Sequence, residues 1–108
     1  MATSTIDPDA TAIALINVFT VDPSRQDELV ALLDKATEDV MRHRRGFVSA
    51  NLHASLDGTH VANYAQWETE EAYRAMLEDP VCRDHMGQAL ELASCGPSLY
   101  RVASVHHA

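Results

Sequence analysis

Two asparagines, Asn17 and Asn63, and the sole tryptophan, Trp67, are the residues whose types and spacing could do chemistry. An amide NH2 or an indole N–H held in an apolar setting donates a hydrogen bond to a developing oxyanion. Each such donor is typically worth about 3 kcal/mol to a reaction that builds negative charge on oxygen. Tyr73 adds a hydroxyl, and His53 and His85 add imidazoles, which ordinarily titrate near neutrality. The competing role for the amides is structural: bonded to each other or to backbone, they would only fix the packing. No pair of histidines and acids has helical ligand spacing, an HExxH form or a CxxC partner, so no metal site is expected.

Whether these groups share a pocket depends on the elements that carry them. Phe47 to Leu56 and Thr59 to Trp67 are strand-like runs around Asp57-Gly58, a strong hairpin signal. Opposed residues of an antiparallel pair share a face, so the turn sets Leu56 against Thr59, Leu52 against Asn63, Ala50 against Ala65 and Val48 against Trp67. A four-residue loop keeps the same pairs. One face then carries Val48, Ala50, Leu52, Ala54, Val61, Asn63, Ala65 and Trp67; the other carries Ser49, Asn51, His53, Ala62, Tyr64 and Gln66. The first is drier and should meet the helices, with Asn17 beside Asn63 if Ile13, Leu15 and Phe19 also face inward. A cavity there would hold a flat apolar ligand, lined by Phe19 and Leu52, with its oxygens met by Asn17, Asn63 and Trp67. His53 falls on the opposite face and is not expected to act as a base.

The remaining elements are set by punctuation and period. Residues 1–11 form an aperiodic, flexible lead-in that Asp7-Pro8 keeps out of helix. Ala12 to Val21 is apolar on both alternating faces, as in a covered strand. Asp22-Pro23-Ser24 starts a helix that buries Leu29, Leu32, Leu33, Ala36 and Val40 and ends with His43, Arg44, Arg45 and Gly46. Thr69 caps a second helix, interrupted at Asp79-Pro80 and resuming to about Ala93, where Cys95-Gly96-Pro97 stops it. Ser98 to His106 reads as a last strand. Tyr73, early in the second helix, could close the pocket beside Trp67 or serve as an ordinary core aromatic. His85 is a further candidate for the ligand, although a helix without periodic partners leaves solvent as its more ordinary place. The order β-α-β-β-α-β is α+β and ferredoxin-like, in a single domain over residues 12–108. Because Ile16, Val18 and Tyr64 make the far sheet face apolar, a second copy is expected to cover it, giving a homodimer.

Composition narrows the partners. The chain has 108 residues, one domain's worth, and a formal net charge of -8 from 16 acidic against 8 basic residues. That charge repels nucleic acid and anionic membrane, and neither is an expected partner. The apolar runs are too short to span a bilayer, and Met1 to Asp9 lacks the basic start of a signal peptide, so a cytoplasmic protein is expected. Cys82 and Cys95 are expected to be reduced thiols.

The run Gly46-Phe47-Val48-Ser49-Ala50, through His53-Ala54-Ser55-Leu56-Asp57-Gly58-Thr59 to Asn63-Tyr64-Ala65-Gln66-Trp67-Glu68 and on to Ala72-Tyr73-Arg74, resembles the antibiotic biosynthesis monooxygenase family. In particular it is similar to the small quinone-forming oxygenases of bacterial aromatic polyketide pathways. The resemblance extends from about Ala12 onward. It implies a dimeric α/β barrel with one pocket per subunit. It also implies oxidation of an anthrone or naphthacenone-type polyketide to a quinone by O2 as co-substrate, without flavin, haem or metal. By this resemblance the family's pocket asparagine and tryptophan fall on Asn63 and Trp67, its first-strand asparagine on Asn17 and its helical tyrosine on Tyr73. One feature departs: actinorhodin-type relatives carry an arginine near the position of His85 or Met86, whereas the nearest arginine here is Arg83.

The same amides would also serve a cofactor-free isomerase or cyclase acting on an enol, or a dimer that only binds an aromatic metabolite. Haem degradation, the nearest alternative within the fold, is disfavoured because the related enzymes need an axial histidine where Leu77 and Glu78 stand.

Overall fold

β1, Ile13–Val21, is the strand on which the fold is built, because its two apolar faces can both be covered. A computed structural model describes residues 2–108; Met1 of the expected lead-in lies outside them. β1 pairs antiparallel with β3, His60–Trp67, on one side and with β4, Ala93–Tyr100, on the other, and β2, Phe47–Ala54, pairs with β3. The strand order β2-β3-β1-β4 is that of the expected ferredoxin-like α+β fold.

Three helices cover one face of this sheet. α1, Gln26–Asp39, comes after a short 3-10 turn, Pro23–Arg25, capped by Asp22 accepting from the Ser24 amide at 2.9 Å. It buries Leu29, Leu33 and Ala36. α2, Glu70–Glu78, is capped by Thr69 and buries Tyr73 and Met76. α3, Pro80–Leu92, begins afresh at Asp79, whose Oδ1 accepts from Val81 N at 2.9 Å and Cys82 N at 3.1 Å. The core forms two clusters, one around Leu15, Trp67, Tyr73 and Cys82 and the other around Phe19, Leu29, Leu33 and Val61.

Four boundaries differ from the sequence expectation, each for a local reason. α1 stops at Asp39 and the chain tightens into a 3-10 turn, Met41–His43, so Gly46 is not its cap; it stands at φ +85° at the entrance to β2. The strands of the hairpin are shorter, leaving a four-residue loop over 56–59 closed by Ser55 N to His60 O at 3.0 Å. A bulge between Phe47 and Ser49 turns Val48 outward, 47% exposed, and sets Phe47, not Val48, against Trp67. The last strand is Ala93–Tyr100 and includes Cys95-Gly96-Pro97. At a sheet edge the proline's missing N–H leaves no neighbour unserved.

The hairpin loop is held by Asp57, whose Oδ1 accepts from Ser55 Oγ at 2.8 Å, Thr59 N at 3.0 Å and Thr59 Oγ1 at 2.7 Å. These bonds, the Thr59 backbone N–H first among them, hold its carboxyl at about 2 against the ordinary 3.8. Folding thus favours the charged form. The stabilisation is fully present above the ordinary value and is lost as pH falls through the folded one. Asp57→Asn is therefore expected to shrink the acid-induced loss of Tm between about pH 4 and pH 2. A melting series with the wild-type slope would refute this role for the loop.

Residues 2–11 have no helix or strand, yet they lie against the far face of the sheet: Ser4 Oγ donates to Asn51 Oδ1 at 2.7 Å and Gln66 Nε2 donates to Thr5 O at 3.0 Å. Val18 remains 41% exposed on that face.

Candidate active site

Between the two core clusters, sheet and helices enclose a cavity of about 100 Å³. β1 and β3 bring Asn17 and Asn63 directly opposite each other in register. Both line the cavity, together with Phe19, Trp67, Tyr73 and His85. Asn17 is 5% exposed, and the Oδ1 atoms of both asparagines are buried without a hydrogen-bond partner. The packing role would have their oxygens bonded, and neither oxygen is. A buried acceptor left unsatisfied costs about 1–3 kcal/mol, which a ligand's donor can return. Turned about its terminal torsion, the same amide presents an NH2 donor to a ligand oxygen.

Trp67 sits at the end of this row, 2% exposed, and is locked by aromatic edges. Phe47 meets it at 5.5 Å between ring centroids and 87°, and Tyr73 at 6.2 Å and 62°. Burial raises the Tyr73 phenol above its ordinary range, with Cys95 adding to the shift, so the hydroxyl stays protonated and can donate.

Of the remaining candidates, Leu52 pairs with Asn63 as expected but does not line the cavity; it packs against the Phe19 and Leu29 cluster. Its parity is right, but its neighbours are core. His85 lines the cavity while staying half-buried, because α3 is a new helix set by its own cap at Asp79, with its own rotational phase. His53 is exposed and pairs with Ala62 on the far face. Arg83, the nearest arginine to His85, is exposed and does not line the cavity.

Several lining residues had no signal in the sequence pattern. Met41, Met76 and Met86 form part of the helical wall, and Phe47 enters only because of the bulge. Unbranched methionines turn aside cheaply, giving a wall that can admit a ligand larger than the empty space. Cys95 also lines the cavity, whereas Cys82 is fully buried, its thiol pushed up by burial; both are free. Beside Cys82, Arg44 Nε stands 3.0 Å from Asp79 Oδ2 but off the line of its N–H, and Nη2 donates to Oδ1 at 3.3 Å. This pair ties the entrance of β2 to the start of α3. Bonds from the Cys82 backbone and then from Arg44 hold the Asp79 carboxyl below its usual range. Among the described residues, no cluster of His, Cys, Asp or Glu is arranged to hold a metal, and no helix is long and apolar enough to cross a membrane.

A ferredoxin-like sheet whose helical side encloses amides, an indole and a phenol defines a class of small α+β proteins with an apolar, hydrogen-bonding pocket. Residues 12–88 match the antibiotic biosynthesis monooxygenase family, and the chain belongs to it. The chain is 49% identical over 82 residues to the tetracenomycin-F1 monooxygenase of Streptomyces glaucescens, a stretch covering 76% of this chain and 73% of that one. Its fold is similar to that of the Streptomyces coelicolor monooxygenase ActVA-Orf6, solved with the ligand nanaomycin D. The TM-score there is 0.81, with 33% identity across 94% of this chain and 96% of that one. SnoaB of Streptomyces nogalater, a cofactor-independent oxygenase, shares the fold at a TM-score of 0.75 and 23% identity, across 89% of this chain and 97% of that one.

Proposed function

We propose that the protein is a cofactor-independent monooxygenase that oxidises an aromatic polyketide of anthrone or naphthacenone type to a quinone, with O2 as co-substrate. The observation that carries this reading is the facing pair Asn17 and Asn63, both with unpartnered buried oxygens, in an apolar cavity ending at Trp67. The named activity of the tetracenomycin relative supports the substrate class.

The chemistry suits such a pocket. O2 is a triplet and reacts slowly with closed-shell molecules, but an electron-rich carbanion can pass it one electron. An anthrone gains aromatic stabilisation on losing its proton, and the resulting oxyanion is stabilised by NH2 donors from Asn17 and Asn63 and by the Trp67 N–H. Recombination of the two radicals forms a C–O bond, and the hydroperoxide then loses water to leave the quinone. Anthrone plus O2 thus gives quinone plus one water. The apolar walls keep bulk water away from these intermediates.

The working unit in this reading is a homodimer, the second copy lying on the far sheet face where Val18 is exposed and Ile16 and Tyr64 are half-buried. Its compartment is the cytoplasm, which suits the free thiols of Cys82 and Cys95. O2 uptake with a simple anthrone in the presence of a chelator tests the reading. Uptake matched one-for-one by quinone is expected. Binding with no uptake above the uncatalysed rate would reject it and favour an isomerase, cyclase or binding protein.

A further inference from the structure

We propose that His85 is the proton acceptor of the cavity, the group that takes the acidic C–H proton of an anthrone-type carbon acid. The proposal rests on the oxygenase reading only for the steps after deprotonation; the proton transfer itself needs no O2.

The arrangement of the walls carries the inference. The amides stand on the sheet wall, Asn17 on β1 and Asn63 on β3, while His85 stands on the opposite wall, on α3. In an anthrone the carbonyl oxygen and the acidic CH2 lie at opposite ends of the central ring. A ring bridging the cavity with its carbonyl at the amides therefore turns its CH2 toward the helical wall. The C–H bond breaks, a new N–H bond forms on the imidazole, and the electron pair remains on the substrate, delocalised onto the oxygen at Asn17 and Asn63.

No other lining group fits the role. Titratable groups facing the cavity from the elements packed on α3 are Tyr73 of α2 and Cys95 of β4; α1 offers only the hydroxyl of Thr37. A phenol or a thiol must lose its own proton before it can take one, and burial holds the Tyr73 phenol protonated. Neutral imidazole accepts directly. On its own helix the charged neighbours Arg83 and Asp84 are exposed and outside the cavity. His85 is half-buried, so the proton it takes can pass on to water.

Binding of 1,8-dihydroxyanthrone under strict exclusion of O2 tests this, with Trp67 fluorescence reporting binding and the red-shifted absorbance of the anthrone anion reporting proton transfer. The wild type is expected to form bound anion at neutral pH. His85→Gln is expected to bind the anthrone but to form the anion at least tenfold more slowly after mixing. Added imidazole is expected to restore the rate of anion formation in His85→Ala, which a merely structural role would not allow. An unchanged rate in His85→Gln, or no rescue of His85→Ala, overturns the proposal. A wild type that forms the anion but consumes no O2 on admission of air would sink the oxygenase reading while leaving His85 as the acceptor.

Discussion

Asn63→Ala is expected to lower kcat/KM for quinone formation about a hundredfold while leaving the stability of the fold unchanged or slightly raised. The two effects have one cause. The Asn63 oxygen is buried without a partner, so the amide costs the folded state and contributes to it little. Its donor contributes when a substrate oxygen gains charge, and only then. Asn17→Ala is expected to behave alike, and the double variant to lose less than the product of the two, since both amides serve one oxyanion. The check pairs steady-state kinetics with denaturation midpoints for each variant. A variant that loses stability but keeps its activity per folded molecule would assign the amides to packing.

Gly46→Ala has the largest expected effect on stability. Gly46 lies at φ +85°, where an L side chain is strained, and its carbonyl accepts from Glu68 N at 2.7 Å. A Cβ built there collides with the Cβ of Ala72 on α2. Left-handed strain of about 1–2 kcal/mol and crowding of about 1–3 kcal/mol together predict roughly 2–5 kcal/mol of destabilisation. Relief by displacement of α2 would carry Tyr73 away from Trp67, so the variant should also lose ligand affinity. Urea unfolding decides the matter: a wild-type midpoint would mean that α2 does not press on the entrance of β2.

The part of the site on the hairpin was readable because β parity is rigid. From the Asp57-Gly58 turn, counting in pairs places Asn63 opposite Leu52 and on the same face as Trp67, and the structure has that register. The count fails at Val48, where one extra residue bulges, and nothing in Phe47-Val48-Ser49 marks a bulge in advance. Leu52 shows a second limit: parity tells which face a side chain takes but not where along the sheet the cavity ends. His85 shows a third. Its direction depends on where α3 restarts, and Asp79 was legible as a break but not as the cap that sets a new phase. Cys95-Gly96-Pro97 reads locally as a stop, and only its position at the sheet edge permits a strand.

On the mechanism proposed above, these residues let O2 deliver a single oxygen atom to a bound aromatic without a cofactor. Turnover of an anthrone by chelator-treated protein under O2 carrying the heavy isotope, with mass analysis of the quinone, tests this most directly. One heavy oxygen atom in the quinone, with the other in water, is the predicted result. Quinone with no heavy oxygen, or turnover that appears only when a metal or flavin is added back, would contradict it.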